Sequence, residues 1–153
     1  MSTILLSFES DWFFKLEKGE KKFEYRKHFP KGKTRVYFYV SRPVMAITGV
    51  ADFSDREDLS KWLEKFSDRP NDVQERIHEM LLDCRYAVPC LSFQPTNRIS
   101  LAQLRSDMPD FIVPRMYYYL DELPLLEYLK DNLKPIGEPI VHNFDLITDD
   151  DIC

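Results

Sequence analysis

Three strand-like runs follow one another between Lys22 and Phe53 with only short turns between them. A crossover between parallel neighbours needs roughly a dozen residues or more, so a doubly wound parallel sheet is disfavoured. Lys22 to Lys27 alternates, with Phe23 and Tyr25 on one side and Glu24 and Arg26 on the other. After the turn Pro30-Lys31-Gly32-Lys33, Thr34 to Val40 sets Val36, Phe38 and Val40 against Tyr37 and Tyr39. Arg42-Pro43 ends that run, and Ala46 to Phe53 forms the next, where Gly49 marks a bulge or a close backbone approach. Runs this apolar on both faces belong to a closed or double-layered sheet. The expected class is mainly β with helices (α+β), built as a small barrel with helices around it.

The flanking segments supply those helices. Ile4 to Phe8 reads as a first strand. Ser10 is placed to cap a short helix with Trp12, Phe13 and Leu16 on its inner face and Gly19 as its stop. Ser54 and Glu57 match a capping box ahead of Leu59, Trp62, Leu63 and Phe66, and Asn71 is placed to cap a second helix with Val73, Ile77, Met80 and Leu81 inside. These two form an inserted helical pair at about 54–83. Arg85 to Gln94 returns to strand character despite Pro89, which points to an edge or a bulge. Ser100 and Gln103 open a short helix, and Pro114 suits the first position of another. Leu125, Leu129 and Leu133 share one face of a helix that Pro135 and Gly137 end. Ile140 to Ile147 is a candidate last strand, and 149–153 reads as a solvated acidic tail. With no repeat and no linker, 1–153 is expected to be one domain.

Composition narrows the functional classes. The 153 residues are 44% hydrophobic and 31% charged, as in an ordinary globular protein. No apolar run approaches the roughly 20 residues of a membrane span, and Met1 to Leu6 does not have the pattern of a secretory signal. Cys84, Cys90 and Cys153 are odd in number and form no CxxC pair, so reduced thiols and a cytoplasmic location are expected. His28, His78 and His142 are scattered, so neither a metal nor a cofactor is expected. A net charge of −5 argues against coating a polyanion by charge alone. Residues 12–43, however, hold seven Lys and three Arg against three Glu, a local balance of +7. That asymmetry suits either a polyanion-facing surface or a solvated lysine-rich face.

Within the basic stretch, Gly19 to Arg26 has the pattern G-x-K-x-x-E-x-R. A lysine between a helix stop and a strand projects from a barrel rim. Glu24 and Arg26, two apart on a strand, share a face. The guanidinium offers a planar fork to a phosphate or a base edge, and a carboxylate among Lys21, Lys22 and Arg26 stays ionised and able to accept hydrogen bonds. The plainer alternative is a structural Glu24–Arg26 ion pair with Lys21 merely exposed.

The pattern resembles the signature of the activating signal cointegrator homology (ASCH) family within the PUA-like barrels. Ala46 to Ala51 is similar to that family's following strand, and Ile99-Ser100-Leu101 leading to Leu104, then Phe111 and Pro114, is similar to a later segment. The resemblance implies a domain that binds RNA, a nucleotide or a nucleobase in translational or transcriptional regulation. Lys21, Lys22, Glu24, Arg26, Arg42 and Arg115 are its candidate ligand contacts. Some ASCH-like proteins resemble amidohydrolases that deacetylate acetylated cytidine with a Lys, a Thr and a Glu. Lys21 matches the Lys by its place in the motif, but Glu24 stands at the Thr position, so the nucleophile is missing. An amidohydrolase or ribonuclease with Lys21 and Glu24 as catalytic groups is the alternative. Tyr117-Tyr118-Tyr119 suits core packing better than base stacking, because three consecutive residues cannot all face one cleft.

Overall fold

A computed structural model describes residues 1–153. Its strands are β1 (Ser2–Phe8), β2 (Phe23–Arg26), β3 (Thr34–Val40), β4 (Ala46–Phe53), β5 (Glu57–Asp58), β6 (Tyr86–Gln94), β7 (Ile99–Ser100), β8 (Tyr117–Tyr119) and β9 (Ile140–Val141). The helices are α1 (Ser10–Glu17), α2 (Trp62–Lys65), α3 (Asn71–Asp83), α4 (Leu101–Asp107) and α5 (Pro124–Asn132). The sheet runs β2-β6-β4-β3-β1-β8, with β5 and β9 on β6 and β7 on β4. It curls into a mixed half-barrel in which β1 and β3 are parallel and every other pairing is antiparallel. No helix is long and apolar enough to cross a membrane.

Period-two alternation sorts the side chains between two layers. Ile4, Leu6, Phe8, Val36, Phe38 and Val40 join Phe13 and Leu16 of α1 in one buried cluster. Leu5, Tyr37, Tyr39 and Ile47 face the other way, against Leu104 of α4 and Leu125 and Leu129 of α5. Gly49 (φ 81°) lies where β4 slips register against β3, and a Cβ there would stand 2.7 Å from the Phe93 ring. Both expectations for Gly49 therefore hold together.

A third cluster forms where α2 and α3 cover one face of β2 and β6. Phe23, Leu59, Trp62, Phe66, Val73, Ile77 and Ala87 are buried there, together with Ile152. The acidic tail expected to be solvated is instead folded back. Arg69 pairs with Asp149 at 2.8 Å, Lys22 with Asp151 at 3.2 Å, and Ile152 is fully buried. Apolar Ile152 overrides the acidic run, whose charges find cations just ahead of α3 (Arg69) and just ahead of β2 (Lys22).

Several local expectations are corrected. Ser10 is the first residue of α1 and its hydroxyl donates to the Arg42 carbonyl (3.1 Å), so it caps nothing. Trp12 leaves the inner face of α1 and is 39% exposed, because Phe13 and Leu16 fill the core-facing stripe. Ser54 and Glu57 form no capping box. Glu57 is drawn into β5 and accepts from the Trp62 indole, and Asp58 caps the following turn by accepting from the Ser60 N–H. Asn71 is inside α3, whose N-cap is Pro70. Of the two expectations for Pro89 the bulge holds and the edge does not: β6 is interior, and Pro89 sits at the last pair of the β2 ladder, next to the slip in its register with β4. Pro114 starts no helix and leads into β8, while the last strand shrinks to β9. Ser100 does cap α4, accepting from the Gln103 N–H at 3.1 Å.

Candidate functional site

Where β1 ends and α1 begins, β2 passes close by and opens a polar cleft of about 460 Å³. Ser7, Phe8 and Glu9 come from the β1 end, Trp12 from α1, and Glu24 to His28 from β2 and the turn after it. Ser41, Cys84, Arg115 and Met116 complete the wall. The alternation of β2 aims Phe23 into the third cluster and leaves Glu24 and Arg26 on the cleft side.

Glu24 is only 7% exposed and is held on every side. Its Oε2 accepts from Arg26 Nε at 3.1 Å, and its Oε1 accepts from the Tyr25 N–H at 3.0 Å. The Lys21 ammonium stands 3.5 Å from the same Oε1. Arg26 donates through Nη2 to the Ser7 carbonyl at 2.9 Å, which ties β2 to the end of β1. Lys21 is buried behind the acid, 4.9 Å from the Trp12 ring centroid and 5.2 Å from that of Tyr25. Cation–π contacts of this kind hold the side chain in place between the two rings.

The candidates named from the sequence therefore divide. Glu24, Arg26 and Arg115 line the cleft, and Lys21 supports it from behind. Lys22 lies on the other side, donating to the Asn143 carbonyl (3.2 Å) while paired with Asp151. Arg42 is exposed and outside the wall, which takes its neighbour Ser41 instead. Half of the plainer alternative is also present, since Glu24 and Arg26 are ion-paired, but Lys21 is buried rather than exposed and does not project from the rim. The Glu24–Arg26 pair forms part of an open wall.

Several wall residues were not among the candidates named from the sequence, Lys27, His28, Trp12 and Cys84 among them. Lys27 and His28 continue the basic run beyond the motif, and their position next to Arg26 was the only available signal. Trp12 was hidden by its helical spacing from core residues. Cys84 is half-buried, and burial, followed by the nearby charge of Glu24, raises its thiol pKa above the ordinary value. That disfavours a reactive thiolate in the cleft.

No family model matches the sequence, and no curated protein matches it either. Solved structures do. The crystal structure of ASCH from Zymomonas mobilis superposes with a TM-score of 0.66 at 18% identity, covering 87% of this chain and 96% of that one. A tyrosine-to-phenylalanine variant of the same protein gives 0.66 at 17% identity, covering 88% and 100%. A serine-to-alanine variant gives 0.64 at 18%, covering 87% and 97%. Likeness at this identity speaks for architecture alone. The curled mixed sheet with its five helices is an α+β fold, the same fold as that of the ASCH crystal structure from Zymomonas mobilis.

Proposed function

We propose that this chain is a binding domain for a nucleotide or a short single-stranded RNA, held in the cleft between β1, α1 and β2. The reading rests chiefly on one observation: an open polar cleft in which the Glu24 carboxylate is held between Lys21 and Arg26, with a partly exposed tryptophan in its wall. Arg115 and Lys27 are suited to phosphate oxygens. Trp12 offers a π-face for a base, and stacking of this kind is sequence-tolerant. Glu24 keeps one acceptor site for an amino group, because a carboxylate has about four and three are engaged here. A role in RNA-linked regulation fits such a module.

So few cations limit the phosphate contacts. The logarithm of affinity should fall with the logarithm of salt at a shallow slope, equivalent to about two to four neutralised phosphates. Anisotropy titration of a labelled short single-stranded RNA, with cytidine monophosphate as competitor, tests the reading. Saturable binding that weakens in Arg115→Ala and in Trp12→Ala supports it. Absence of saturable binding, or indifference to both variants, removes it.

A hydrolase acting on acetylcytidine or RNA is the second reading, favoured by the Lys21–Glu24 contact of 3.5 Å. Against it, Glu24 stands where the resemblance puts the nucleophilic Thr, so no nucleophile is in place. Turnover of acetylcytidine or cleavage of the RNA that disappears in Lys21→Ala would make the cleft catalytic.

A further inference from the structure

β8 ends the sheet path and pairs on one side only, with β1. The Leu120 N–H donates to the Thr3 carbonyl (2.9 Å) and the Ser7 N–H to the Met116 carbonyl (2.8 Å). In this antiparallel register the hydrogen-bonded pairs are Thr3/Leu120, Leu5/Tyr118 and Ser7/Met116. The peptide groups of Tyr117 and Tyr119 therefore point away from β1, and no further strand meets them. Exposed edges of this kind are templates for pairing with another chain.

Beside that edge lies an apolar groove of about 490 Å³, walled by Met108, Phe111, Ile112, Tyr118, Tyr119 and Leu123. Ile112 is 70% exposed, Tyr119 52% and Leu123 42%. The surroundings are acidic. From Asp107 to Glu127 there are five carboxylates, and Arg115 is the only Lys or Arg. Asp110 lines the groove, Asp121 and Glu122 follow β8, and all three are exposed and without an ion-pair partner.

We propose that β8 receives an extended segment of a partner protein as an added strand, with apolar side chains at alternate positions and lysine or arginine between them. The free peptide groups of Tyr117 and Tyr119 supply main-chain hydrogen bonds, the groove takes the apolar side chains, and the carboxylates meet the basic ones. A second copy of this chain fits poorly, because it would bring the same acidic rim against itself. This surface is distinct from the polar cleft and does not depend on its reading.

The probe is a labelled octapeptide of alternating valine and lysine, titrated against the full chain by fluorescence polarisation. Saturable binding is expected. It should weaken by about tenfold or more in Ile112→Lys, an exposed site that the fold tolerates, and with a peptide N-methylated on its pairing edge. The urea midpoint and circular dichroism of that variant should match those of the unaltered chain, which shows that the fold is intact. Four outcomes would each overturn the proposal: no saturable binding by about 1 mM peptide, equal binding of a valine–glutamate octapeptide, indifference to Ile112→Lys, or a concentration-dependent dimer in sedimentation that Ile112→Lys abolishes. The last would give the edge to a second copy.

Discussion

The two faces of β2 carry similar charges and use them differently. On one face Lys22 meets Asp151, Tyr25 accepts from the Cys153 N–H and donates to the Asp151 carbonyl, and Phe23 is sealed under Trp62 and Phe144. On the other, Glu24 and Arg26 are paired yet form the wall of an open cleft. One face spends its polar groups on holding the chain together. The other is held still by it and remains available to a ligand. Rigid support behind a binding face is what preorganisation requires.

Substitutions on the sealed face should therefore cost stability, and those on the open face should cost binding. The largest effect expected is Phe23→Ala, which removes a buried ring from the third cluster and should destabilise by about 3–5 kcal/mol in chemical denaturation. A loss below about 1 kcal/mol would mean that this cluster does not hold β2. Ile152→Ala follows, at about 2–3 kcal/mol, with faster amide exchange over 149–152. Unchanged exchange there would undo the folded-back acidic segment. Glu24→Gln keeps the shape of the side chain but removes its charge, leaving Lys21 and Arg26 less well paired. It should weaken nucleotide binding about tenfold and destabilise by about 1–2 kcal/mol.

A finer contrast sets Lys22→Ala against Arg115→Ala. The first should cost about 1 kcal/mol or less and leave RNA affinity untouched; the second should lower affinity with no change in stability. Equal behaviour of the two would erase the distinction between the faces. The smallest effect is in acid. Burial works to raise the Asp151 carboxyl, but hydrogen bonds from Thr148 and Lys22 outweigh it and leave its pKa below the ordinary aspartate value of 3.8. Burial, with Lys22 nearby, lowers the His142 imidazole below 6.5. In both cases the unfolded chain takes up protons first, so stability falls as pH falls. For His142 the loss begins as pH drops below about 6.5, and for Asp151 as it drops below about 3.8. Urea midpoints that rise on acidification from neutrality would contradict both.

The strands and the Gly19-to-Arg26 motif were legible in the sequence because their signals are local: alternation, turn residues and a glycine with positive φ (74° at Gly19). That Glu24 and Arg26 share a face followed from spacing alone. The route of the acidic segment was not legible, since an aspartate run reads as solvated until Lys22, Arg69 and the cavity for Ile152 are known to converge. Trp12 and Phe13 are neighbours on one helix with similar hydrophobicity, and only the position of α1 against the sheet assigns one to the core and the other to the cleft.

Short-range chemistry therefore established the element types, the polar triplet at positions 21, 24 and 26, and the antiparallel bias of the sheet. Which cation faces the cleft and which one ties down the acidic segment depended on partners up to 129 positions away, as with Lys22 and Asp151. Such pairings are created by folding, because the order of residues along a chain carries no direct record of which of them will share a dielectric boundary.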